Sequence, residues 1–300
     1  MYNKTNTRTT LLTLGSFMLA ACLASGANAQ FNFPPVPEEV QQERPSADEV
    51  AQAAGLYEEF MSGLTGSDRD LLERHPYLIE FSPPGFFNTA IMPNLLPIFE
   101  EKHINNVARA NQGNVDVLFM GDSITDFWRN ESGAFAGKAV MDKYWPDLNI
   151  ANFGIAGDTT QGVLYRLANG EGEGFTPKAI MLMIGTNNTA ASNHMEIAAG
   201  IGAIVLDMET RWPDAEILLL GIFPRGAPDD PVRDEIRRIN DIIARLDAHP
   251  NVHYLDIGDV FLDDNGVIAP EIMSDSLHPS AAGYELWAQA VAQPLAELLD

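Results

Sequence analysis

The chain has 300 residues, 46% hydrophobic and 20% charged, apolar material enough for one large domain or two smaller ones. Its formal charge of -24 sets 18 basic against 42 acidic residues, a balance that excludes a nucleic-acid partner, because phosphate contacts need clustered Lys and Arg. The single cysteine, Cys22, leaves no internal disulfide framework.

At the N-terminus Lys4 and Arg8 precede the apolar run Leu11 to Leu23, which is too short to span a bilayer permanently. Ala27-Asn28-Ala29 then gives a small-x-small cleavage pattern before Gln30. Together they predict a secretory signal peptide over residues 1–29 and export to the periplasm or the exterior. Leu19-Ala20-Ala21-Cys22 resembles the lipobox of bacterial lipoproteins. That leaves open a second processing route, a signal over residues 1–21 and a lipid anchor on Cys22, the one membrane association this sequence offers.

Residues 30–97 read as an N-terminal linker and extension. Pro34, Pro35 and Pro37, among Gln and Glu, predict a semi-extended linker. Ser46 and Glu49 form a capping-box pattern ahead of the apolar stripe Val50, Ala53, Ala54, Tyr57, Phe60, Met61 and Leu64. A helix ending near Gly63 and Gly66 is expected there, packed on the main domain. From Leu71 to Pro97 the residues Pro76, Pro83, Pro84, Gly85, Pro93 and Pro97 interrupt an apolar segment, which predicts irregular chain.

A helix over Ile98–Ala110 leads through Gln112-Gly113-Asn114 into a strand ending at Gly121. Further strands are expected at Leu148–Phe153, Ala179–Ile184, Glu216–Ile222 and Val252–Asp256. Helices are expected at Thr160–Ala168, Met195–Thr210, Pro231–Ala248 and Ala281–Leu299. This alternation predicts an α/β fold over residues 98–300: three layers, α/β/α, with a central parallel sheet of flavodoxin-like layering.

Ser123 falls where the first strand turns into a helix, with Ile124, Phe127 and Trp128 at helical spacing behind it. Ligands bind at that end of the strands in open α/β sheets, and a helix start offers unpaired N–H groups to a developing negative charge. A nucleophilic serine suits the place. Serine is also a favoured helix cap, the alternative reading of the same residue. Past the second strand stands Gly154-Ile155-Ala156-Gly157, where glycines allow close backbone approach and Asp158 or Thr159 could cap the next helix. Past the third stands Gly185-Thr186-Asn187-Asn188, and before the last helix Asp275-Ser276-Leu277-His278. A carboxylate three residues from a histidine can fix its tautomer and leave the other ring nitrogen free to take a hydroxyl proton.

Those four blocks, in that order, resemble the SGNH (GDSL-type) hydrolase family, over nearly the whole chain from Ile98 onward. Within it, Asn152 to Gln161, Gly185 to Asn188 and Pro224-Arg225-Gly226 look most like the catalytic subunits of platelet-activating-factor acetylhydrolase and their bacterial relatives. The resemblance implies Ser123 as nucleophile, His278 as base and Asp275 as its orienting partner. It further implies an oxyanion hole made of the Ser123 and Gly157 N–H groups and the Asn187 amide. It implies no cofactor and no metal. Residues 31–97 lie outside the match.

Other constellations are weaker. His249 and His253 have a metal-ligand spacing, but Pro250 lies between them and a strand begins at Val252. His75, His103 and His194 have no histidine or cysteine at ligand spacing. Gly200-Ile201-Gly202 lies inside a helical pattern, and no Gly-x-Ser-x-Gly elbow occurs. The expected activity is hydrolysis of short acyl esters, with O-acetyl groups on carbohydrate as the leading substrate. A lysophospholipase or arylesterase, or a non-catalytic carbohydrate-binding protein on the same scaffold, are the alternatives.

Overall fold

Three short runs, Val117–Gly121, Ala179–Met183 and Glu216–Leu220, are apolar at nearly every position and buried on both sides. That pattern belongs to parallel strands covered on two faces. The structure, a computed structural model, describes residues 47–66, 69 and 88–299. The signal segment with Cys22, the linker, the Ser46 cap and His75 lie outside the described residues.

In chain order the elements are α1 (Ala47–Gly63), α2 (Glu100–Ala110), β1 (Val117–Gly121), α3 (Ser123–Asp126), α4 (Lys138–Tyr144), β2 (Ile150–Asn152) and α5 (Thr160–Arg166). They continue with β3 (Ala179–Met183), α6 (His194–Arg211), β4 (Glu216–Leu220), α7 (Pro231–Ile243), β5 (Val252–Leu255) and α8 (Ala281–Glu297). The strands form one parallel sheet in the order β2-β1-β3-β4-β5, the flavodoxin-like order. Val117 pairs with Ile150 on one side and Ala179 on the other, and Gly121 lies opposite Met183.

Alternation along the strands divides the core between the two faces. Leu118, Met120, Ile180, Leu182, Ile217 and Leu219 pack against α5, α6 and α7. Phe119, Met181, Met183, Leu218 and Leu220 turn to the other face, where α4 and α8 pack beside the buried indoles of Trp128, Trp145 and Trp287. The chain runs from β1 to β2 in one direction and returns past β1 to reach β3. The crevice at the carboxyl ends of β1 and β3 is therefore the switch point of the sheet, the place where such sheets bind ligands.

Three details differ from the sequence reading. The helix predicted to Ala168 leaves regular geometry after Arg166, in a wider turn over Leu167–Glu171 with Gly170 at φ 107 against Val107. The seven-residue α4 has too few turns to show a stripe and was not anticipated. The packed body also begins before Ile98. Ala90 is fully buried, its carbonyl accepts the Thr160 hydroxyl at 2.8 Å, and Asn94 N–H bonds to Gln161 O at 3.1 Å. α1 covers the predicted stripe, burying Met61 and leaving Leu56 and Phe60 exposed.

Candidate active site

β1 can end where it does only with glycine: a Cβ on Gly121 would lie 2.3 Å from Met183 O and 2.2 Å from Thr125 Oγ1. The chain then turns into α3, and the cap is Asp122, whose carboxylate accepts Ile124 N–H at 3.0 Å. With the capping role filled by its neighbour, the Ser123 hydroxyl is available elsewhere. Its Oγ lies 2.8 Å from His278 Nε2. Since α3 has only four residues, its macrodipole is small, and any help to a negative charge here comes from individual N–H groups.

His278 is placed by the turn before α8. Ser276 adopts φ 56, a left-handed conformation that a serine takes at some cost, and its carbonyl accepts Gly226 N–H at 2.9 Å. That turn lets Asp275 Oδ1 accept the backbone N–H groups of Leu277 and His278 at 3.1 and 2.8 Å, while Oδ2 sits 2.6 Å from His278 Nδ1. Partial burial resists ionisation of Asp275, but the bonds from the His278 ring and backbone outweigh it and hold the carboxyl below its usual range. With Asp275 ionised, Nδ1 carries the proton and Nε2 faces the serine. The rings of Phe127 and Phe135 each lie 5.1 Å from the imidazole and restrict its rotation.

The donors implied for the oxyanion come from two other strand ends. Gly157, at φ 88, has an N–H that bonds to no acceptor among the described residues, and a Cβ there would come within 3.3 Å of the Phe99 ring. Gly154 lies against α3, where a Cβ would come 2.3 Å from Asp126 N. The Asn187 amide donates to Asp158 O at 2.7 Å, joining the loop after β3 to the loop after β2. One NH2 hydrogen remains for a ligand. All four blocks thus gather at the carboxyl ends of β1, β2 and β3 and the start of α8.

Residues 119–286 match the model of the GDSL-like lipase/acylhydrolase family. The chain belongs to this family. It is 35% identical over 198 residues to the alpha1 subunit of platelet-activating factor acetylhydrolase IB of Bos taurus, covering 66% of this chain and 82% of the relative. It is 38% identical over 185 residues to the alpha2 subunit of Rattus norvegicus, covering 61% and 76%. A solved structure of a member of the lipolytic protein G-D-S-L family from Veillonella parvula shares the fold, at TM-score 0.52 and 18% identity over 60% of this chain and 97% of that one. As a GDSL-like acylhydrolase, the chain is a carboxylic ester hydrolase of the SGNH type.

Around this acylhydrolase site stand residues that no sequence pattern announced. Asp126 is buried, accepts Ala156 N–H at 2.8 Å, and pairs with Lys102 and Arg129. Arg129 in turn donates to Asn152 O at 2.9 Å and Gly154 O at 2.7 Å, bracing the loop after β2. Asp122 is fully buried, and its Oδ2 has no hydrogen-bond partner. Burial pushes its carboxyl up to about 7, against the pull of the Ile124 N–H and of His278. The expected caps of α5 are corrected. Thr159 makes no capping bond, and the Asp158 carboxylate points inward to Arg166. The Thr160 N–H is instead met by Asn188 Oδ1 at 3.1 Å, so Asn188 works at a distance from its own turn.

The remaining histidines among the described residues pair with separate acids: His103 with Glu171, His194 with Glu235, His249 with Glu209 and His253 with Glu216. His249 and His253 therefore do not converge on one point. A cavity of about 320 Å³ opens between Pro224, Arg233, Asn240 and Asp256. It holds none of the four blocks, and the crevice around Ser123 remains the candidate reaction centre.

Proposed function

We propose that this esterase is exported and removes short acyl groups, chiefly acetyl, from carbohydrate, through an acyl-enzyme on Ser123. The observation that carries the assignment of roles is the continuous line from Asp275 through His278 to Ser123, with bonds of 2.6 and 2.8 Å. A serine hydroxyl is a weak nucleophile at neutral pH and needs an adjacent base. Ser123 Oγ attacks the ester carbonyl as its proton passes to His278 Nε2. The tetrahedral oxyanion is met by the N–H groups of Ser123 and Gly157 and by the Asn187 amide. Collapse expels the alcohol, which takes the proton from Nε2. A water, deprotonated by the same nitrogen, then releases the carboxylic acid and restores the serine. Preorganised donors at the oxyanion are typically the largest catalytic term, each worth about 10² to 10³ in rate.

The acetyl preference is supported by the relatives named as acetylhydrolases and by the Phe99 ring, which closes in on Gly157. The carbohydrate substrate is supported by the export signal read in residues 1–29, since O-acetyl groups on external polymers are then within reach; fold-level likeness alone does not select it. The test is a substrate panel of acetylated oligosaccharides, aryl acetates and lysolipids with wild-type and Ser123→Ala protein. Hydrolysis of p-nitrophenyl acetate falling through butyrate to octanoate, highest kcat/KM on acetylated sugars, and a loss of about 10³-fold or more in kcat for Ser123→Ala are expected. Undiminished turnover by the variant refutes the nucleophile, and a preference for long chains or lysolipids refutes the substrate.

A further inference from the structure

A second polar system lies directly behind the oxyanion donors. The side chains of Arg166, Asp158 and Glu171 are completely buried. From the last turn of α5, Arg166 donates through Nε at 2.9 Å and Nη2 at 2.7 Å to Asp158 Oδ2, and through Nη1 at 3.0 Å to Phe153 O. The same Nη1 meets Glu171, which His103 Nδ1 contacts at 2.8 Å and Asn106 at 3.2 Å from α2. One planar guanidinium therefore fastens both ends of the segment Phe153–Asp158. That segment has no regular secondary structure, and Gly157 is within it.

Stability alone gives no reason for this arrangement. A buried ion cluster is often no more stabilising than apolar residues of equal volume, and α5 already packs on the sheet through Val163 and, just beyond it, Leu167. What the cluster does provide is direction, because a fork of fixed N–H vectors sets where Asp158 and Phe153 stand. The Asp158 carbonyl receives the Asn187 amide, and the residue before it presents the Gly157 N–H. Two of the three proposed oxyanion donors thus depend on a loop whose two ends this one buried side chain holds, while Asp126 and Arg129 brace its middle.

We propose that Arg166 is a positioning residue for ester hydrolysis, holding the Gly157 amide and, through Asp158, the Asn187 amide at the oxyanion. The proposal rests on the assignment of those donors made above. A displacement of about 1 Å in such a group can cost on the order of 10² in rate. Arg166→Lys keeps the charge but, as a single point donor, cannot hold both ends of the loop. Asp158→Asn keeps shape and backbone and exchanges a charged acceptor for a neutral one, a milder change if the lysine variant does not fold.

The experiment measures kcat and KM on p-nitrophenyl acetate for both variants, for Asn187→Ala, and for each combined with Asn187→Ala. Expected are a fall in kcat of roughly 10- to 10²-fold for Arg166→Lys and several-fold for Asp158→Asn, with KM nearly constant. The loss should be clearly smaller in the Asn187→Ala background, because part of the route runs through that amide. A folded Arg166→Lys or Asp158→Asn protein with a lowered melting temperature and unchanged kcat overturns the proposal, as does full additivity with Asn187→Ala. Ser123→Ala, run in parallel, separates the two readings. If that variant stays active the site itself is wrong, whereas an inactive Ser123→Ala beside an undiminished Arg166→Lys defeats the positioning role alone.

Discussion

Two chains of charged side chains meet at this crevice, and they differ in how they face water. In the line Asp275–His278–Ser123 the aspartate side chain is 39% exposed and the histidine 14%, and in the proposed mechanism its bonds break and re-form within each turnover. In the cluster Asp158–Arg166–Glu171 every side chain is at zero exposure. A proton relay needs access to substrate and solvent, and a moderate dielectric lets its charges appear and vanish. A clamp needs the opposite, since in a dry surrounding each bond is strong and costly to break. The same residue types therefore serve two purposes, and exposure tells them apart.

The largest way to break that contrast is to stop the relay while leaving its shape. Asp275→Asn preserves size but removes the charge that keeps the proton on His278 Nδ1. By analogy with the aspartate of a serine-protease triad, kcat should fall by about 10³- to 10⁴-fold, with a modest drop in melting temperature at neutral pH, because the ionised, half-buried carboxyl accepts three hydrogen bonds in the folded state. A loss of less than about 10-fold in steady-state kinetics would mean that the imidazole is oriented by Phe127 and Phe135 alone.

Next comes the link between the two systems. Asn187→Ala should lower kcat by about 10²-fold and leave KM nearly unchanged if its amide acts only on the oxyanion. An effect on KM of similar size would place the amide on the bound ester instead. This residue also shows where sequence reading stopped. The four blocks were legible because each combines a turn that only certain residues can make with chemistry at a strand end, as at Gly121 and Gly157. The central strands β1, β3 and β4 were legible because burial on both faces leaves a nearly unbroken apolar run. Neither signal exists for Arg166, Asp126 or Arg129. Their partners are backbone groups, carboxylates and cations that mostly follow no helical or strand period, as for Arg166 and Phe153, 13 residues apart in sequence, and Lys102 and Asp126, 24 apart. Asp122 received no role from the sequence, because a capping bond to a residue two places on leaves no periodic trace.

Asp122 sharpens the comparison with the smallest expected effect. It is as dry as Asp158, but among the described residues no guanidinium hydrogen-bonds to it: Oδ1 accepts one backbone N–H and Oδ2 has no hydrogen-bond partner. Its proton is accordingly held up to about 7 in the folded protein, mainly by burial, against an ordinary value of 3.8. Below about pH 4 both folded and unfolded states carry that proton and the group is neutral to stability. Between about pH 4 and 7 only the unfolded state releases it, so this carboxyl makes the fold progressively less stable as pH rises, and the loss levels off above 7. Asp122→Asn keeps an acceptor for Ile124 and cannot ionise. Its melting temperature should therefore match the wild type near pH 4, pull ahead of it as pH rises, and hold a margin of several degrees above pH 7. Thermal melts in a single ionic strength across that range decide it. A variant that loses ground to the wild type as pH rises would show that Asp122 is an anion in the folded state, and that a buried carboxylate here does without the cation that Asp158 requires.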